Sequence, residues 1–328
     1  MITNDLFKRI LIEPIQRGIN KLLIVSGYAT SAMAFHHLTE LKRLGNTNVE
    51  IKLIIGMCSS EGISLNNHNG FKQIMNESDG RFQCSYRISN PPTHSKVYVW
   101  LANDNPRISF LGSPNYTQTA FNEKLQKEAL AICDNNDALS YFESMVGDSI
   151  YCNHPEPESM VQIFNDKIFQ RQPKNIAIAS SATKNSIFQP NFESLEQISV
   201  SLLDKYGNVQ HRGGLNWGQR PSRNPNQAYI QLSPKVYNSD FFPIKKIHFT
   251  VLTDDNKTLI CTRAQKNVTG ATIETPHNNS LLGEYFRNRL GLANGAYITY
   301  EDLIRYGRTD VTFIKIDDEN YYMDFSVP

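Results

Sequence analysis

Thr93-His94-Ser95-Lys96-Val97-Tyr98-Val99-Trp100, followed after a short loop by Ile108-Ser109-Phe110-Leu111-Gly112-Ser113-Pro114-Asn115, decides how the chain is read. The first stretch is a β-prone run in which His94 and Lys96, two residues apart, face the same way. The second is another apolar run, and it ends in a Gly-Ser-x-Asn turn. If the two are neighbouring strands, an imidazole, an ammonium, a hydroxyl and a carboxamide converge on one spot, a set that suits a phosphate. Cleaving a phosphodiester needs a nucleophile, donors for the phosphoryl oxygens and an acid for the leaving group. His94 suits the first task, and Lys96, Ser113 and Asn115 suit the second. Glu128, just before the next apolar run, is placed to accept the second ring N–H of the imidazole. Glu123 competes for that role, and either carboxylate could instead be a solvated surface charge.

Outward from this stretch, residues 21–27 and 49–56 are continuous apolar runs of buried-strand type. Residues 81–88 and 129–133 read as further strands. Helical spacing covers 6–19, 31–44 and 138–146, and a short helix is expected at 71–75. This alternation predicts an α/β layered domain, a mixed sheet flanked by helices, over residues 1–165. Residues 166–190 read as a linker, since the stretch 174–184 is short of large apolar groups. Residues 191–328 carry many short alternating runs, a hairpin turning at 253–256, helices at 280–290 and 300–306, and a closing hairpin of 311–316 with 321–325. They predict a β-rich, barrel-like second domain.

Composition narrows the function classes. A chain of 328 residues, 40% hydrophobic and 20% charged, has the make-up of a folded globular protein. No apolar run reaches the length of a membrane span, so no membrane partner is expected. Five scattered cysteines without Cys-x-x-Cys spacing read as reduced thiols in a cytoplasmic protein, with no metal site. The net charge of +1 hides an asymmetry: residues 205–290 hold 12 Lys and Arg against 5 Asp and Glu, whereas 301–328 hold 3 against 7. Concentrated positive charge suits a phosphate backbone. Within it, residues 211–224 lack any acid and contain Arg212, Asn216, Trp217, Gln219, Arg220 and Arg223, the side-chain types that read base edges. A second polar stretch offers Arg263, Gln265, Lys266, His277 and Asn278 as an opposing jaw. The competing reading is a solvated, flexible loop. His68, in the polar run 66–70, is weighed as a loop residue with or without substrate contact; Tyr98 and Trp100 read as packing.

The His94-x-Lys96 and Gly112-Ser113-x-Asn115 pair resembles the signature of the phospholipase D superfamily. More narrowly, the chain is similar to the NgoFVII-type restriction endonucleases, relatives of the BfiI-like enzymes. The Trp217-Gly218-Gln219-Arg220 run and the run from Asn278 to Phe286 fit the same group, and two polar jaws on a β barrel resemble a C-terminal domain of the plant B-three-like DNA-binding kind. The resemblance implies a nuclease acting on double-stranded DNA through a phosphohistidine, without cofactor or metal ion, with a DNA methyltransferase as companion. The superfamily's Asp, five residues after the Lys, is Leu101 here, and Asp104 lies further on. Superfamily sites use two His-x-Lys motifs, and this chain has one, so the resemblance implies a homodimer with one His94 from each subunit. Two rivals stand beside this reading: a small-substrate phosphodiesterase such as a phospholipase, and a DNA-binding regulator with a degenerate nuclease fold.

Overall fold

The structure, a computed structural model, describes residues 1–165, 195–244, 247–264 and 270–327. A first sheet is built from β1 (Lys21–Ser26), β2 (Glu50–Ile55), β3 (Phe82–Arg87), β4 (Val97–Ala102), β5 (Asn105–Gly112), β6 (Leu130–Cys133) and β7 (Ser149–Tyr151). Their order is β6-β5-β4-β1-β2-β3-β7. The central trio β1, β2 and β3 is parallel, and the other pairs are antiparallel. Helices α1 (Leu6–Leu11), α2 (Ser31–Arg43) and α3 (Leu65–Glu77) pack Ile10, Met33 and Phe71 on the face of Leu22, Ile24, Ile51 and Leu53. Helix α4 (Asn135–Val146) packs Ala138, Phe142 and Met145 on the opposite face, against Leu23, Val25, Val97 and Val99. Burial on both faces is why 21–26 reads as a continuous apolar run.

The second sheet comprises β8 (Gln197–Ser201), β9 (Ile230–Gln231), β10 (His248–Thr253), β11 (Thr258–Ala264), β12 (Thr272–Glu274), β13 (Asp310–Lys315) and β14 (Asn320–Asp324). The order is β8-β13-β14-β10-β11-β12-β9. The edge strands β8 and β9 approach one another, so the sheet curls into a nearly closed barrel. Helices α5 (Ser280–Arg289) and α6 (Tyr300–Tyr306) complete it. A capping box, in which Thr299 and Asp302 satisfy each other's backbone N–H groups, starts α6.

Two expected helices come out differently. The run 6–19 is broken after Leu11 and continues as a tight turn from Glu13 to Arg17, because Pro14 has no N–H for the helix ladder. The short helix at 71–75 is instead the 13-residue α3, which starts at Leu65. Asn66, Asn67 and His68 are buried helix residues, and His68 Nδ1 lies 3.0 Å from the Tyr86 hydroxyl, so His68 is not in a loop. The linker at 166–190 lies outside the described residues. All five cysteines are free thiols. Among the described residues, no helix is long and apolar enough to cross a membrane.

Helices α2 and α3 also lie against β10, and α3 against β11, of the second sheet. Leu65 packs on Leu252, Ile314 and Tyr322, and Ile260 joins the core of the first domain; around this apolar packing runs a polar network. Asn66 donates to Thr250 Oγ1 at 2.8 Å. The Gln118 amide donates to the His248 carbonyl at 2.7 Å and accepts from its N–H at 3.2 Å. The His36 and His248 Nδ1 atoms are 3.1 Å apart.

Burial holds His37 and His248 at a pKa of about 3, well below the ordinary 6.5. Below pH 6.5 the unfolded chain binds protons that the folded chain refuses. Stability is therefore fully present above that pH and falls as the pH drops toward 3, by up to about 1.4 kcal/mol per pH unit for each ring. Urea midpoints measured from pH 7.5 down to pH 5 should decline, and a flat profile would contradict this.

Candidate active site

The ends of β1 and β5 and the start of β4 meet at one rim of the first sheet. Strand β4 runs antiparallel to both neighbours, and Val97 pairs with Val25 on one side and Leu111 on the other. Just beyond, the Gly112 N–H donates to the Lys96 carbonyl at 3.2 Å. That register brings Ser26-Gly27, Lys96 and Gly112-Ser113 together. His94 and Lys96 lie in the segment leading into β4, not on the strand itself.

Lys96 is buried, whereas His94 is exposed. The ammonium lies 3.1 Å from Nδ1 and 3.2 Å from Nε2 of His94 and donates to the His94 carbonyl at 2.7 Å. Burial lowers the Lys96 pKa from its ordinary value, and the nearby Glu128 carboxylate works against that shift. A Cβ on Gly27 would stand 3.0 Å from His94 Cδ2 and 3.4 Å from Asn115 Oδ1. Any side chain there would push the imidazole and the carboxamide back by a few tenths of an ångström. The Tyr28 ring stands edge-on to the imidazole, with centroids 5.7 Å apart. The Tyr28 N–H donates to Asn115 Oδ1 at 3.1 Å, which orients the amide and leaves Nδ2 as its donor end.

The 113–116 turn is pinned from below. The Tyr98 hydroxyl donates to the Pro114 carbonyl at 2.9 Å, and the Tyr116 N–H donates to Ser26 Oγ at 2.9 Å. His37 Nε2 sits 3.0 Å from the Leu11 carbonyl and must donate there, so Nδ1 accepts the Tyr116 hydroxyl at 2.9 Å. The Ser113 hydroxyl donates to Glu128 and accepts from the Ala129 N–H at 3.1 Å. Glu128 also accepts from the Gln126 amide. Its hydrogen bonds among the described residues thus run to Ser113 and Gln126, and the expected bond to the imidazole is not formed within one chain. Glu123 is engaged elsewhere, accepting the Asp5 N–H at the start of α1. Leu101 is a core residue, and Asp104 sits in the turn at the far end of β4, 2.6 Å from Lys21 Nζ. No carboxylate from that part of the chain reaches the site. Gly27 and Tyr28 escaped the sequence reading; the signal was a Ser-Gly-Tyr run directly after a buried strand.

The residues read as DNA contacts separate into two groups. Arg212, Arg220 and Arg223 are exposed. The Arg223 guanidinium lies 3.9 Å above the half-buried Trp217 ring, a cation–π contact, and Arg220 Nε donates to the Arg212 carbonyl at 2.7 Å. The second group is turned inward. Asn216 is fully buried and bonds both the N–H and the carbonyl of Ile298. Gln219 donates to the carbonyls of Pro225 and Gly295. Arg263 is buried and donates to the carbonyls of Gly270, Pro243 and Tyr237. As base readers these three are corrected to scaffold: their donors are already engaged inside the domain. Exposed Asn278 accepts the Ser280 N–H at the start of α5. His277 packs against Phe35 and lies 4.0 Å from Glu77, in a groove of about 270 Å³ between the two domains. Gln265 and Lys266 lie outside the described residues.

Residues 4–159 match the family profile described as the NgoFVII restriction endonuclease N-terminal PLD domain. Residues 190–317 match the NgoFVII C-terminal B3-like DNA-binding domain. The chain belongs to the NgoFVII restriction endonuclease family. That membership implies endonuclease activity on DNA, and it assigns the rim of the first sheet to a PLD domain and the curled sheet to a DNA-binding domain. A search of curated proteins returned no match. Among solved structures, a polyphosphate kinase from Porphyromonas gingivalis aligns with 13% identity and a TM-score of 0.29. The alignment covers 47% of this chain and 24% of that one.

The inward-facing group gives a direct test. Arg263→Ala leaves three carbonyls of the B3-like domain without their donor and should destabilise it by on the order of 3 kcal/mol. Thermal unfolding would show this as a lowered transition; an unchanged one would return Arg263 to the surface reading.

Proposed function

We propose that the chain is a type II restriction endonuclease that hydrolyses DNA without a metal ion, through a phosphohistidine formed at a site shared by two subunits. The observation that carries the reading is the Lys96 ammonium held within 3.2 Å of both His94 nitrogens, with Asn115 closing the same rim. A ring nitrogen of His94 attacks phosphorus, and the bond to the leaving oxygen breaks as that oxygen takes a proton from the partner's His94. Water then attacks phosphorus while giving a proton back to the partner's His94, the P–N bond breaks, and the phosphate leaves with both imidazoles restored. Lys96 and Asn115 Nδ2 face the phosphoryl oxygens. Ser113 joins them if its hydroxyl turns away from Glu128, which otherwise holds Ser113 in place and sets the field around Lys96.

One His-x-Lys motif per chain supports the shared site: none of the other seven histidines has Lys two residues on. The exposure of His94 at an open rim fits the approach of both a duplex and a second copy. The charge-stabilising groups are an ammonium and neutral donors, which neutralise phosphate without gathering a cation. In the B3-like domain, Arg212, Arg220 and Arg223 beside Trp217 form the sequence-reading edge, together with exposed Asn278. A companion DNA methyltransferase would protect the host's own sites.

Incubating plasmid DNA with the protein in excess EDTA tests the chemistry. Discrete fragments are expected; a smear would favour a nonspecific phosphodiesterase, and intact DNA a binding protein with a degenerate nuclease fold. His94→Ala should abolish cutting and retain sequence-specific binding, and residual cutting at the wild-type rate would overturn the nucleophile.

Arg220→Ala should weaken specific binding by about 1 to 3 kcal/mol with an unchanged melting temperature. Equal affinity of the variant and the wild type in a gel-shift titration would remove Arg220 from the reading edge.

A further inference from the structure

Glu319 belongs to the B3-like domain, in the turn between β13 and β14, yet its carboxylate is buried in the PLD domain's surface. It is held by four donors, all from the PLD domain. Oε1 accepts the Thr119 N–H at 3.0 Å and the Thr119 hydroxyl at 3.2 Å. Oε2 accepts the Thr30 hydroxyl at 2.5 Å and the Gln118 amide at 3.3 Å. These donors sit on the two loops that build the catalytic rim. Thr30 ends the Gly27-Tyr28 loop, and Gln118 and Thr119 continue the Ser113–Asn115 turn. The loops are already joined at the site by the Tyr28 N–H to Asn115 Oδ1 bond, and behind it by the Thr30 N–H to the Tyr116 carbonyl at 3.1 Å.

We infer that Glu319 is a positioning residue through which the DNA-reading domain holds the catalytic loops in register. The geometry gives one carboxylate a grip on both loops at once, so that docking of the B3-like domain and closure of Asn115 over Gly27 are one event. Neutral side chains do this less well. Gln at 319 would turn an amide N–H either toward the Thr119 N–H or toward the Gln118 amide, and the latter cannot flip without breaking both of its bonds to the His248 backbone. Asn320, the next residue, bonds Asn66, Asn67 and Thr250 in the same junction and touches neither loop. It separates general docking from the grip on the loops.

The inference rests on the nuclease reading for its kinetic consequence and on the structure alone for its mechanical one. The test compares full-length Glu319→Ala, Thr119→Val and Asn320→Ala with the wild type. Hydrogen–deuterium exchange of peptides spanning 26–31 and 115–121 should quicken in Glu319→Ala, less so in Thr119→Val, and remain at the wild-type rate in Asn320→Ala. At saturating DNA, kcat should fall by up to about a hundredfold in Glu319→Ala, the scale of a misplaced catalytic geometry, with Kd for specific DNA within twofold of wild type. Asn320→Ala should keep kcat within twofold. Unchanged exchange in Glu319→Ala, or an equal loss of kcat in Asn320→Ala, would overturn the positioning role. Should Glu319→Ala fail to fold, Thr119→Val decides the point by the same two readouts. Absence of cleavage by the wild type would count against the nuclease reading alone, because the exchange comparison still decides whether Glu319 holds the loops.

Discussion

The antiparallel register of β4 between β1 and β5 is the constraint on which the site depends. Val97 opposite Val25 and Leu111 places Lys96 beside Gly112 and sets Gly27 under His94. A slip of one residue would turn Val97, Val99 and Leu101 to the wrong face and carry His94 and Lys96 together away from Gly27 and the Gly112–Asn115 turn. That register is enforced by core packing on both sides of the sheet: Tyr98 and Trp100 face one helical layer, Val97 and Val99 the other. The Trp100 indole N–H adds a directional lock, donating to the Ile10 carbonyl at 2.7 Å. Core packing here therefore specifies chemistry, because the same alternation that buries apolar side chains aims the polar ones.

Much of this was legible in the sequence because the central strands are buried on both faces and so announce themselves as apolar runs. The site was legible for a related reason: His94, Lys96, Ser113 and Asn115 interrupt or end such runs, where a polar group needs a purpose. What the sequence hid was set by partners distant in the chain. Residues 66–70 read as a polar loop, yet Asn66 and Asn67 are helix residues whose amides meet Ser64, Thr250 and Asn320. Burial of amides is compatible with a helix when a second domain supplies their hydrogen bonds, and no periodicity reveals that.

The charge asymmetry of the second half shows the same limit. The 12 cations in 205–290 suggested a continuous DNA-facing surface, but Arg263, Arg287 and Arg289 are partly or wholly scaffold. Fully buried Arg287 donates to the carbonyls of Ala296, Gly283 and Leu215. Arg289 pairs with Asp254 at 2.7 Å and with the Tyr306 hydroxyl at 2.5 Å. The barrel uses guanidinium groups to tie up loop carbonyls that no ladder satisfies. Counting charges therefore overstates the exposed cationic surface, to which Arg212, Arg220 and Arg223 beside Trp217 do belong.

The polar network within the domain junction has a consequence that the apolar contacts beside it lack. Apolar faces can slide over one another at little cost, whereas a buried carboxylate with four donors has one satisfactory arrangement, and any displacement leaves a desolvated group unpaired. Burial raises the pKa of Glu319, and the Thr30, Gln118 and Thr119 donors oppose that rise, so the carboxylate depends on all of them together. The same residues lead directly into the Tyr28–Asn115 contact. The position of the second domain and the shape of the rim that carries His94, Lys96 and Asn115 thus meet in one set of hydrogen bonds.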